Sequence, residues 1–315
     1  MLYSLLKIPA RIAFPFYCRK LMVNRPEVFN EEGPLLIAAN HPNSFLDAIV
    51  MATLFKRPVY SLVRGDVYSN RFFSRILYSL KMLPVYRISE GAENLGGNYE
   101  TFEKCKTIFR QKGIVLIFSE GRCINEWKLR PLKKGTARLA LSAWNEGIPL
   151  RVIPTAINFS SFRKFGKNIH INFSEPILND FTDLEGGRAI VAFNEKLELA
   201  LRPIVYHLES GNKKHIREKF RTHVPHLKKI LLLLPALAGL IFLFPVYFPT
   251  RELVRRKWNN DHFDSLVVAI LFITFPFYLL LITIIGFLLL PGYWALMLPI
   301  ALLLSALALL HFLGR

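Results

Sequence analysis

From Ser265 to Leu290 the chain runs for 26 positions without a charged residue, and Tyr293 to Leu310 contains none either. A helix needs roughly 20 consecutive apolar residues to cross a bilayer, so each stretch is long enough to do so. Stretches this long with no charge have no polar face to turn to water, which argues against helices of a soluble core. Pro291-Gly292 between them predicts the turn of a helical hairpin. Ile230 to Phe248 is also uncharged, but it is interrupted by Pro235 and Pro245 and followed by Pro249. Lys228 and Lys229 precede it, and Arg251, Arg255, Arg256 and Lys257 follow it. Positive flanks on both sides favour a segment that re-enters on the cytoplasmic side. Residues 230–315 therefore read as a membrane region of two or three hydrophobic helices, with nearly all its charge in RELVRRKWNNDHFD (251–264).

The rest of the chain mixes charged and apolar residues. A formal net charge of +18 points either to nucleic acid or to anionic lipid and anionic substrate. The membrane region favours lipid, and no nucleic-acid motif is present. The segment GNKKHIREKFRTHVPHLKK (211–229) reads as a basic linker that brings positive charge to an anionic leaflet. Residues 1–30 lack a small-residue cleavage site and carry Lys7, Arg11, Arg19 and Lys20. They read as an amphipathic interfacial helix, with Phe14, Phe16 and Tyr17 at headgroup depth, or else as an ordinary helix covering the domain. Cys18, Cys105 and Cys123 have neither metal nor disulfide spacing, which suits a reducing cytoplasmic face.

Between these parts, residues 31–210 read as an α/β domain with a mostly parallel central sheet. The predicted strands are LLIAA (35–39), VYSLV (59–63), MLPVY (82–86), IVLIF (114–118) and RVIPTAI (151–157), with helices such as YETFEKCKTIFRQK (99–112) and TARLALSAWNE (136–146) between them. Polar clusters follow the first four strands: Asn40-His41, Arg64-Gly65-Asp66, Arg87, and Ser119-Glu120-Gly121-Arg122. The carboxyl ends of the strands are where an open α/β sheet forms its crevice.

In AANHPNSFLDAIV (38–50), Pro42 suits a first helical turn, which places His41 at the strand-to-helix junction and Asp47 in the helix. A carboxylate holding one ring nitrogen would leave the other to take a hydroxyl proton. On this stretch alone, an alternative is that Asn40 or Asn43 caps a helix and His41 and Asp47 are incidental. The neighbouring clusters favour the pair.

NHPNSFLD, LPVYR, FSEGR and VIPTAI, in this order, resemble the four sequence blocks of the glycerophosphate and lysophospholipid acyltransferase family. The resemblance covers about residues 35–160. It implies that His41 is the general base that deprotonates an acceptor hydroxyl for attack on an acyl thioester, with Asp47 orienting it and no covalent acyl-enzyme. It implies substrate-binding positions at Arg87, Glu120, Gly121, Arg122 and Pro154. Lys134, in PLKKGTARLAL, would add positive charge near the acceptor, or else lie in a solvated basic loop. The donor would be acyl-CoA or acyl carrier protein as co-substrate, with no metal or other cofactor, and the domain would sit on the cytoplasmic face of an integral membrane protein.

Three departures bear on the acceptor. Five residues separate His41 from Asp47 where the family usually has four, Ser119 replaces a proline, and Arg122 comes one position early, leaving Cys123 in its usual place. The leading expectation is acylation of a lysophospholipid such as lysophosphatidate. Alternatives are glycerol 3-phosphate or a lyso amino-acid lipid as acceptor, or a non-catalytic module that gathers anionic lipid. A transporter is disfavoured because the apolar helices carry almost no ionisable residue apart from His311.

Overall fold

The computed structural model describes residues 2–86, 96–181, 184, 186–209, 211–222, 225–292 and 294–313. The apolar runs that lack alternation become strands buried on both faces, as expected of a parallel sheet covered by helices. In chain order the elements are α1 (Leu2–Tyr17), β1 (Cys18–Val23), β2 (Leu35–Ala39), α2 (Phe45–Leu54), β3 (Val59–Arg64), α3 (Arg71–Ser79), β4 (Met82–Val85), α4 (Gly96–Arg110), β5 (Ile114–Phe118), α5 (Lys134–Asn145), β6 (Arg151–Phe159), β7 (Lys167–Phe173), α6 (Gly186–Leu201), α7 (Lys213–Lys219), α8 (His226–Lys257), α9 (Phe263–Leu289) and α10 (Trp294–Phe312).

Seven strands form one sheet in the order β1-β7-β6-β2-β5-β3-β4. Every described pairing is parallel except β6 with β7. Successive residues of β2 point to opposite faces. Leu36 and Ala38 pack with α4, α5 and α6, through Phe109, Ala140, Phe193 and Leu197. Leu35, Ile37 and Ala39 pack with Leu46, Val50 and Met51 of α2. The result is three layers with β2 at the centre.

Register decides where the loops emerge. Ala39 pairs with Phe118 on one side and Thr155 on the other. The residues after β2 and β5 must therefore leave the sheet side by side, so His41 and Glu120, 79 positions apart, become neighbours.

Two strands escape the sequence reading. CRKLMV and KNIHINF carry lysine, arginine, asparagine or histidine among their apolar residues, and they form β1 and β7 at one side of the sheet. Helix α1 accordingly ends at Tyr17, and residues 18–23 belong to the sheet rather than to an N-terminal helix. The orientation of α1 also differs from expectation. Lys7 Nζ donates to the Phe55 carbonyl at 2.6 Å, and Arg11 Nε to that of Thr53 at 2.9 Å, so both cations sit on the carbonyl end of α2, where a helix favours positive charge. Tyr17 is buried. The outward face is apolar instead, with Leu5, Ile8 and Ile12 each more than 60% exposed.

Residues 230–248 lie within α8, a continuous helix of 32 residues that includes Pro235, Pro245 and Pro249. Helices α8, α9 and α10 are each long and apolar enough to cross a membrane. Gly239 lets two of them meet closely, since a Cβ there would lie 2.4 Å from the Ser305 carbonyl oxygen. Within the basic segment 211–229, Asn212 caps α7 by accepting from the His215 backbone N–H at 3.0 Å.

Candidate active site

His41 and Asp47 meet. Helix α2 begins at Phe45, three residues later than Pro42 suggests, and Asp47 lies in its first turn. The intervening turn at 42–44 accommodates the longer spacing by placing Ser44 at φ 57°, a conformation non-glycine residues rarely adopt. Two contacts hold Ser44 there: its N–H donates to Cys123 Sγ at 2.9 Å, and its hydroxyl is 2.5 Å from His262 Nδ1.

His41 Nδ1 lies 2.8 Å from Asp47 Oδ2, and the Asn43 backbone N–H donates to the same oxygen at 2.8 Å. An oxygen already serving as acceptor is matched by a protonated Nδ1, which leaves Nε2 as the proton-accepting nitrogen. The ring stacks on Phe118 with centroids 3.9 Å apart and planes 10° from parallel, which fixes its plane. The His41 side chain is 17% exposed while that of Asp47 is fully buried, so of the pair only the histidine reaches the surface. Burial pushes the Asp47 carboxyl above the usual range. Its bonds to His41 and the Asn43 N–H oppose the shift, and Asp264 adds to it.

Glu120 occupies a turn whose next residue, Gly121, has φ +66° and would bring a Cβ to 3.0 Å from Lys133 Cγ. Its carboxylate accepts from the backbone N–H groups of His41 at 3.0 Å and Arg130 at 2.9 Å. Glu120 thus ties the β2–α2 loop to a second point of its own β5–α5 loop. Burial raises its pKa against the pull of those two donors. It holds the histidine's backbone, a contact that sequence spacing alone does not reveal.

The other predicted positions are dispersed. Arg122 is exposed, and Lys134 is exposed at the start of α5. Pro154 lies in the body of β6, paired with Ala38 rather than with the loops. Arg64 and Asp66 form an ion pair with each other at the surface. Arg87 lies outside the described residues. Burial, and next to it the Asp47 charge, pushes the Cys123 thiol well up, so it acts as a packing and accepting group. Among the described residues no three His, Cys, Asp or Glu side chains gather as metal ligands would.

Sequence reasoning gives Lys167 and Asp264 no role, and reads Asn43 only as an alternative helix cap and Tyr17 as a headgroup residue. Asn43 Nδ2 donates to Tyr17 Oη at 3.0 Å and to Asp264 Oδ2 at 2.8 Å, directly behind the Asp47 contact. The available signal was the charged island at 251–264, which interrupts an otherwise apolar region and ends in an aspartate at the head of an apolar helix.

Residues 20–158 match the family model named Acyltransferase, a segment that contains β2 through β6, His41, Asp47 and Glu120. The domain built around this dyad is an acyltransferase domain. The chain thus carries an acyltransferase domain over residues 20–158 and is an acyltransferase. Among solved structures, the crystal structure of the 1-acyl-sn-glycerophosphate (LPA) acyltransferase PlsC from Thermotoga maritima aligns with a TM-score of 0.44 and 15% identity, over 71% of this chain and 81% of that one. No curated protein matches the sequence.

Proposed function

We propose that this acyltransferase moves a fatty acyl group from a thioester, acyl-CoA or acyl carrier protein, to the free hydroxyl of a lysophospholipid such as lysophosphatidate, with His41 as general base. The observation that carries the reading is the Asp47–Nδ1 contact, which leaves Nε2 of a partly exposed ring fixed by Phe118 to accept a proton. The order of the four sequence blocks supports acyl transfer to a glycerolipid hydroxyl.

In the reaction, Nε2 takes the hydroxyl proton as the oxygen attacks the thioester carbonyl carbon. The C–S bond of the resulting tetrahedral adduct then breaks, and the imidazolium returns its proton to the departing thiolate. Asp47 stabilises the transient imidazolium. The thioester is the co-substrate, and the chemistry calls for no other cofactor.

A membrane setting is supported by the three long apolar helices and by the apolar outward face of α1, which fits a bilayer surface. The basic flanks of α8 favour the cytoplasmic side for the catalytic domain.

Glycerol 3-phosphate or a lyso amino-acid lipid is a second reading of the acceptor. Cys123, not arginine, stands against the catalytic loop, and Arg122 is exposed. Purified detergent-solubilised protein, offered labelled acyl-CoA or acyl carrier protein with each acceptor, tests both. Transfer to lysophosphatidate that disappears in His41→Ala supports the first reading, and transfer to another acceptor alone supports the second. Full activity in folded His41→Ala rules out the mechanism.

A further inference from the structure

A buried ionic cluster lies directly behind the catalytic loop, and both its charged members come from outside the segment that matches the family model. Lys167, at the first position of β7, has a side chain with no exposed surface, and its ammonium pairs with Asp264 Oδ2 in the first turn of α9. The same oxygen accepts from the Tyr17 hydroxyl at 2.8 Å and from Asn43 Nδ2 at 2.8 Å. Ser265 Oγ donates to the Asn43 carbonyl at 3.1 Å. One asparagine is therefore gripped by α9 through both its side chain and its backbone, while its own N–H holds Asp47.

Burying two charges carries a desolvation cost that an apolar pair of similar volume would avoid. What this pair supplies, and an apolar pair would not, is an acceptor oxygen fixed by two other donors, Lys167 and Tyr17, against which the Asn43 amide has one orientation. The turn before α9 adds two more attachments to the same loops. His262 Nδ1 contacts Ser44 Oγ at 2.5 Å, and Asp261 accepts from the Asn125 backbone N–H at 3.1 Å through its carboxylate.

We propose that Asp264, carried by the apolar α8–α9 hairpin, is a positioning residue for acyl transfer. It fixes Asn43, the Asn43 N–H fixes the Asp47 carboxylate, and Asp47 fixes the tautomer of His41. The C-terminal helices are thus part of the catalytic apparatus as well as its anchor. The kinetic half of this inference rests on the acyl-transfer reading; the tautomer half does not.

Two double variants of the full chain separate positioning from stability. Lys167→Met/Asp264→Asn and Lys167→Met/Asp264→Leu both remove the buried ion pair, but only the first leaves a side-chain oxygen for Asn43. The expected result is a kcat at least about tenfold lower in the leucine variant than in the asparagine variant, the size of one lost buried hydrogen bond, with KM little changed. In histidine-labelled protein studied by nitrogen-15 NMR, His41 keeps its proton on Nδ1 in the wild type and the asparagine variant. In the leucine variant it divides between the two ring nitrogens. Equal kcat and the same His41 tautomer in both double variants would overturn the proposal. If wild-type protein transfers no acyl group, the tautomer comparison decides alone, so failure of the reaction and failure of the positioning role are told apart. If the leucine variant does not fold, Tyr17→Phe and Ser265→Ala replace it, since each removes one donor and keeps the ion pair. A lower kcat and a disturbed His41 tautomer in these supports the role, and no change in either overturns it.

Discussion

Asp47 and Asp264 are two buried carboxylates that share one asparagine, yet their surroundings set them to different work. Asp47 accepts the backbone N–H of Asn43 and faces a histidine that is partly exposed. Asp264 accepts the Asn43 side chain and faces a lysine with no exposed surface. A carboxylate beside a titratable ring at a crevice can take part in proton movement, whereas one sealed against a cation can only hold its neighbours in place. Burial acts on the Lys167 ammonium in the opposite sense to a carboxylate and lowers its pKa, with Asp264 opposing.

The largest effect that would test this contrast is on the cleft side. His41→Ala should lower kcat by about 10²–10⁴-fold, the usual contribution of a general base, and leave the melting temperature close to wild type because the ring is partly exposed. A small loss of rate with a large loss of stability would mean that the two sides had been assigned the wrong way round.

Asp47→Asn sharpens the comparison, because function and stability should move in opposite directions. The folded-state pKa of Asp47 is raised, chiefly by burial, so ionisation at neutral pH costs stability, and that cost is relieved as pH falls through the folded value. A neutral isostere should therefore hold or raise the neutral-pH melting temperature, while kcat falls by about 10²-fold or more through loss of tautomer control. Calorimetry and initial rates on the same preparation read both.

A smaller effect is expected at Glu120, which anchors the backbone of His41 without touching reacting atoms. Glutamine can accept from only one of the two N–H groups it now binds, so Glu120→Gln should cost about tenfold in kcat. An unchanged kcat would remove Glu120 from the site.

The division between legible and illegible parts follows from the physics of each element. Strands β2 and β5 are buried on both faces, so their sequences are unbroken apolar runs, and the polar residue after each marks the crevice. His41 and Asp47 could be read because they lie six positions apart across one short turn, so their contact is local. The uncharged helices could be read from length alone. β1 and β7 carry charged or polar groups among their apolar residues at the side of the sheet, a weak signal, and both escape the reading. Tyr17 reads as a headgroup residue although it is buried, and Lys7 and Arg11 cap the carbonyl end of α2, because composition gives a helix's two faces but not which one docks. The Asp264 cluster joins residues up to 247 positions apart, and no local pattern records such a meeting.

The smallest predicted effect lies away from both carboxylates. His170 sits under Phe220 and pairs with Tyr206, and burial first, then Lys20 and Lys219, pushes its pKa down to about 4. Because the unfolded histidine titrates near 6.5, its neutral form is fully compatible with folding above that value, and stability should fall as pH drops from about 6.5 to about 4. His170→Gln should flatten that slope in urea titrations at a series of pH values. An equally steep slope in the variant would show that other groups set it.

The most direct test of the central claim is the pH dependence of kcat/KM for acyl transfer to lysophosphatidate. A base that must be neutral predicts a rate that falls as pH decreases, as a single protonation, and His41→Ala should lack this limb along with most of the activity. A folded His41→Ala protein with wild-type rate and an unchanged pH profile would contradict the account.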